Sequence, residues 1–143
     1  MNIWPTLLIT TIFTATTATA GASLGHLSIS VTSAKNDQGN IEVHLLNTLQ
    51  QFNSEAAAFL HCKKNIKQKK VLCEFPLLPF GNYAVYAFHD ENLNGQLDVN
   101  IFGVPSEKLA ISGVDLAENP EPSYQQSLFL FHSQDGQIFI NLQ

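Results

Sequence analysis

Tyr83-Ala84-Val85-Tyr86-Ala87-Phe88-His89 runs directly into Asp90-Glu91-Asn92-Leu93-Asn94-Gly95-Gln96-Leu97-Asp98. The first seven residues are aromatic, β-branched or small and apolar, which is a strand pattern. Successive side chains of a strand point to opposite faces. Tyr83, Val85 and Ala87 share one face, and Ala84, Tyr86 and Phe88 share the other. A strand that is apolar on both faces belongs in the interior of a sheet, covered on each side. The polar stretch that follows therefore hangs from a rigid base.

That stretch reads D-x-N-x-N-G-x-x-D, the opening positions of an oxygen-rich calcium loop. Calcium is a hard cation that takes six to eight oxygens. Alternating Asp90, Asn92 and Asn94 lets a tight loop turn three oxygens inward, and Gly95 permits the sharp turn. Gln96 offers its backbone carbonyl, and Asp98 binds directly or through water. Glu91 and Asn100 are further candidates. The pattern is not an EF-hand: position twelve, normally a bidentate Glu, is Ile101, and the flanks are not helical. Asn-Gly is also a hairpin signal, and Asp and Asn are turn formers without any ion. Five donors at alternate spacing exceed what a turn requires, so the loop is read as a metal site, with calcium the expected ion.

Outward from this segment, short strands recur. Gly25–Thr32 alternates Leu27, Ile29 and Val31 against His26, Ser28 and Ser30. Asn40–Leu46 alternates Ile41, Val43 and Leu45 against Glu42 and His44. The turn-rich Lys35–Gly39 between them suggests a β-hairpin, with His26 and His44 solvated. Residues 48–59 are ambiguous between a short helix capped by Ser54 and a loop entering a strand. Val71–Phe75 is a strand ended by Pro76, and 106–123, with Asp115, Glu118, Glu121 and two prolines, reads as a long surface loop able to donate an acid to the Asp90 loop. Gln126–Phe131 and Gln137–Leu142 complete about seven strands. The expected fold is an all-β antiparallel sandwich, Ig-like or prealbumin-like, with a partly open barrel as the alternative.

Residues 1–20 have an apolar segment around Leu7, Leu8, Ile9, Ile12 and Phe13, then Ala18-Thr19-Ala20, a small-x-small cleavage pattern. They are read as a signal peptide, with 21–143 a single β-sandwich domain in the periplasm or secreted. No transmembrane anchor is expected in the mature chain, and neither cysteine lies where a lipid anchor would attach. In an exported chain, Cys62 and Cys73 default to a disulfide. The five lysines between them mark a solvated tip. All seven basic residues are lysines and the net charge is −5. That composition argues against nucleic acid, which is gripped by dense Lys and Arg and read largely through Arg.

Pro79-Phe80-Gly81-Asn82-Tyr83-Ala84-Val85-Tyr86-Ala87-Phe88-His89-Asp90-Glu91-Asn92-Leu93-Asn94-Gly95-Gln96-Leu97-Asp98-Val99-Asn100 resembles the L-P-x-G-x-Y-A-x-x-x-x-H-D-E-N-x-N-G-x-x-D-x-N signature of the DUF2141 family. The likeness continues through Phe102-Gly103-Val104-Pro105-x-Glu107 and Pro122-Ser123-Tyr124. It departs at Ala110-Ile111-Ser112-Gly113-Val114, where relatives read G-F-S-N-N. The resemblance implies an exported bacterial β-sandwich without an assigned activity, and treats Asp90, Glu91, Asn92, Asn94 and Asp98 as one unit.

Three function classes follow. The first is a non-catalytic binding module whose calcium loop shapes a surface for an unknown ligand, a glycan or an envelope protein. The second is a structural envelope protein with the loop as a staple. The third is a hydrolase using the Asp90/Asp98 cluster. The chain has no G-x-S-x-G or H-E-x-x-H motif, and carboxylates gathered on one ion are not free to flank a substrate. The expectation is a non-enzyme.

Overall fold

The strands divide between two sheets. The computed structural model describes residues 21–143, so the proposed signal peptide lies outside the described residues. In chain order the elements are β1 (Leu24–Thr32), β2 (Asn40–Leu46), α1 (Leu49–Phe52), β3 (Leu60–Asn65), β4 (Val71–Pro79), β5 (Gly81–Asp90), β6 (Leu109–Ile111), α2 (Tyr124–Ser127), β7 (Phe129–Phe131) and β8 (Asp135–Asn141). A three-stranded sheet has the order β4-β1-β8, and a five-stranded sheet has the order β3-β2-β5-β6 with β7 also on β5. Pairing is antiparallel except for β1 with β8, which is parallel. The fold is an all-β sandwich.

The expected β1–β2 hairpin does not form. β1 pairs with β4 and β8, whereas β2 pairs with β3 and β5, so the connection between β1 and β2 crosses from one sheet to the other. The physical reason lies in the apolar stripes. Leu27, Ile29 and Val31 bury themselves against Ile41, Val43 and Leu45 across the core, which is possible only when the strands face each other from separate sheets. The residues around Lys35–Gly39 make an arch, not a tight turn. β3 and β4 likewise lie in different sheets, as do β7 and β8.

β5 occupies the interior position expected of it, between β2 on one side and β6 and β7 on the other. Tyr83, Val85 and Ala87 enter the inter-sheet core. Ala84 and Phe88, on the opposite face, are also buried. Within 106–123, expected to be a loop throughout, Leu109–Ile111 forms β6 because β5 has an open edge beside Tyr86–Phe88. α1 is capped by Thr48, whose side chain accepts from the Gln51 N–H, and not by Ser54.

Cys62 of β3 and Cys73 of β4 are bonded, with their Cα atoms 6.1 Å apart. Because these strands belong to different sheets, the bond ties the two layers through the core, where Cys73 is fully buried. Closing a loop between residues eleven apart in sequence removes unfolded-chain entropy worth about 3 kcal/mol. Replacing both cysteines by serine is expected to lower the free energy of unfolding by about 2–5 kcal/mol in chemical denaturation. A loss under about 1 kcal/mol would show that the bond contributes little beyond the packing around it.

Candidate functional site

Three segments meet at the end of the sandwich where β5 finishes. The arch after β1 is hydrogen-bonded to the β3–β4 connection: Ala34 N–H donates to Lys69 O, and the Asp37 carboxylate accepts from the N–H groups of Gln68 and Lys69. The arch also rests on β5. His89, fully buried, accepts the Lys35 N–H at Nδ1 (3.3 Å) and donates from Nε2 to Gln38 O (2.7 Å). Gly39 has φ +73°, and a Cβ there would lie 2.1 Å from Asp90 O. Only glycine allows the arch to press against the start of the polar loop.

Asp90 is completely buried. Its Oδ1 accepts the Asn94 N–H (3.1 Å), its Oδ2 accepts the Gly95 N–H (2.9 Å), and Lys63 Nζ stands 3.6 Å from Oδ2. Gly95, at φ +76°, makes the turn that delivers these two N–H groups. Asn92 and Asn94 each donate from Nδ2 to the Asp98 carboxylate, at 2.6 and 2.9 Å. Asp90, Asn92, Asn94 and Asp98 are therefore linked by direct hydrogen bonds, with the asparagine amide nitrogens facing Asp98 and the Asn92 oxygen accepting the Asn94 N–H. Gln96 donates its N–H to Asn94 Oδ1. Glu91 turns away to Lys35 (3.1 Å), and the Asn100 oxygen caps its own turn by accepting from Phe102 and Val104 N–H.

Two participants escaped the sequence reading. Glu107 is nearly buried and spans the loop, accepting the Glu91 N–H (2.8 Å) and the Asp98 N–H (3.0 Å) on its two oxygens. An acid was expected from 106–123, and the one that reaches the loop directly precedes β6, whose pairing with β5 places it there. The second is Asn40, the ladder partner of Asp90 on the same face of the sheet. Its Oδ1 is buried without a hydrogen-bond partner among the described residues. An orphaned buried oxygen is costly. It is an unsatisfied oxygen on the strand position beside Asp90, and an oxygen donor is of the kind that a hard cation takes.

The outer face of the five-stranded sheet is not solvated as expected. His44 is half-buried, its ring 4.6 Å from that of His61, 5.9 Å from Tyr86 and 6.0 Å from Phe88. These side chains floor a groove of about 750 Å³. One wall is Gly95–Leu97 of the polar loop, and the other is α1 and the chain that follows it, including Phe52. Burial, then the neighbouring negative charge of Glu107, pushes the Tyr86 phenol up to about 12, so it presents an O–H donor at physiological pH. Burial, then His61, holds His44 below its ordinary value, against the opposing pull of Glu42.

Glu107→Gln keeps the size of the side chain but replaces one accepting oxygen by an NH2 that cannot accept, so one of the two N–H bonds is lost and the other loses its charge assistance, at a total cost of about 1.5–3 kcal/mol. Amide exchange at Glu91 and Asp98 should accelerate more than exchange in β1, and equal acceleration everywhere would argue against a local brace. The depressed His44 value has its own signature. The unfolded chain takes up a proton near pH 6.5 that folded His44 resists. Stability present above that pH is therefore lost as pH falls from 6.5 through the folded-state value. The melting temperature of wild type should fall more steeply between pH 7.5 and 5 than that of His44→Gln.

Among the described residues, no helix is long and apolar enough to cross a membrane. Comparison with curated proteins and with solved structures gave no match. A family model described as "Uncharacterized protein conserved in bacteria" matches residues 29–139, from β1 into β8 and across the whole polar loop, and the chain therefore belongs to the DUF2141 family.

Proposed function

We propose that this protein is an exported, non-catalytic binding module, periplasmic or secreted, that holds calcium in its Asp90–Asp98 loop and takes a small ligand in the groove beside it. The observation that carries this reading is the shared wall: Gly95–Leu97 belongs both to the polar loop and to the groove. An ion that orders the loop also orders that wall. The groove has the size of a small-ligand site, and its aromatic floor with few polar groups suits the apolar face of a sugar ring. Export is supported by the leader-like residues 1–20 and by the disulfide, which persists in oxidising compartments. A hydrolase built on Asp90 is less well supported, because Asp90 is completely buried and a substrate, unlike a small ion, has no access to it.

In the loop, Asp90, Asn92, Asn94, the Gln96 carbonyl and Asp98 would hold the ion, with Asn40 as an additional oxygen. The modest number of carboxylates points to the weak range of extracellular sites, about 10⁻⁴–10⁻³ M. Calcium at 100 times its dissociation constant should stabilise the protein by about 2.7 kcal/mol, with magnesium much less effective. Asp90→Asn should abolish the response, and Asp98→Asn should weaken it. Titration calorimetry and thermal melts of chelator-treated protein, followed by a glycan screen with and without calcium, test both halves of the reading. A melting temperature unmoved by millimolar calcium, in protein shown by elemental analysis to be calcium-free, would overturn the metal assignment.

A further inference from the structure

Glu42, His44 and His61 lie outside the polar loop, with His44 and His61 on the floor of the groove and Glu42 buried beside them. Glu42 and His44 are two apart on β2 and share its outer face, and His61 of β3 is the direct ladder partner of His44. One ligand atom from each lies within 4.8 Å of the other two. All three stand on paired strands, so the sheet holds their backbones in place before any ion arrives. His44 and His61 both line the cavity.

The donor set differs in kind from that of the loop. Two imidazoles and one carboxylate suit zinc and its transition-metal neighbours, whereas calcium prefers oxygen alone. Around zinc, at ligand distances of about 2.0–2.2 Å, donors sit roughly 3.5 Å apart in a tetrahedron. Drawing the three atoms to that spacing requires small side-chain rotations, and His61, with 45% of its side chain exposed, is free to make them. Glu42 engages both of its oxygens within this cluster. Its Oε1 is 2.6 Å from Lys63 Nζ, and its Oε2 meets His61 Nε2. The Lys63 contact can persist while the contact between Oε2 and Nε2 opens to admit an ion.

We propose that Glu42, His44 and His61 form a second metal site, selective for zinc-like divalent ions, with one coordination position directed into the groove. Three protein ligands and one open position is the arrangement of zinc sites that accept an exchangeable fourth ligand. Water would occupy that position in the free protein, and a ligand oxygen would replace it when the groove is filled. The loop would thus order the wall of the groove while the second ion anchored what lies on its floor.

The test uses the untagged, chelator-treated full chain and zinc or cobalt as the probe. Calorimetry should show one saturable zinc site per chain near pH 7.5, and cobalt should give the intense visible absorption of a four- or five-coordinate ion. His61→Ala, chosen because its side chain is largely exposed, should weaken zinc binding at least about 100-fold and abolish the cobalt spectrum. Glu42→Gln should weaken binding at least about tenfold while the protein still melts cooperatively. His26→Ala and His132→Ala should bind as wild type does, which separates this site from adventitious histidine binding, and zinc should still bind in the presence of excess calcium, which separates it from the polar loop. Absence of zinc binding at 100 µM, or wild-type affinity in His61→Ala, would overturn the assignment.

Discussion

A carboxylate removed from water must be met by hydrogen-bond donors or by positive charge, and the end of this sandwich is built around that requirement. Asp90 has no exposed surface. The turn at Gly95 supplies two N–H groups, β3 supplies Lys63, and the arch presses Gly39 onto the Asp90 backbone. Leaving such a charge uncompensated costs several kcal/mol. The compensating groups come from the turn and from β3, so meeting the requirement ties the polar loop to β3, while Gly39 lets the arch close onto the Asp90 backbone. Glu107 extends the same logic in reverse: a buried acid reaches out to N–H groups that the loop leaves unpaired.

The same arrangement links two chemically distinct regions. Lys63 lies between Asp90 of the loop and Glu42, which is buried beside the groove floor, 3.6 Å from one and 2.6 Å from the other. Its ammonium is held charged chiefly by the hydrogen bond to Glu42. Neutralising Asp90 with a bound ion would leave Lys63 more fully committed to Glu42. Tyr86 experiences Glu107 from the other side. Oxygen chemistry at the loop and nitrogen chemistry on the floor thus share a short chain of charges.

Local pattern made some of this legible and hid the rest. The two apolar faces of Tyr83–Phe88 identified an interior strand because side-chain alternation is a property of the strand itself. The cysteine pair was readable because two cysteines in a chain read as exported leave few alternatives. Which sheet each strand joins was not readable. Alternation in 25–32 and 40–46 is the same whether the two strands pair side by side or face each other across a core, and the arch residues resemble those of a turn. His44 was misjudged for a related reason. Alternation points it outward, but outward here means beneath aromatic neighbours and a short helix. Glu107 and Asn40 could not be connected to the loop by spacing, since ladder pairing, not sequence distance, places them there.

The parallel ladder of β1 with β8 has a mechanical consequence. It runs from His26 with Asp135 to Thr32 with Asn141 without an interruption in register. In a parallel pair, tension applied ahead of β1 and beyond β8 pulls the two strands lengthwise past each other. All the hydrogen bonds of the ladder are then loaded together, whereas a hairpin pulled at its open end gives way one bond at a time. The Cys62–Cys73 bond also withholds residues 63–72 from the length that force can draw out. Such a sandwich resists stretching between its ends better than it resists peeling at β3, whose outer edge has no strand beside it in the five-stranded sheet.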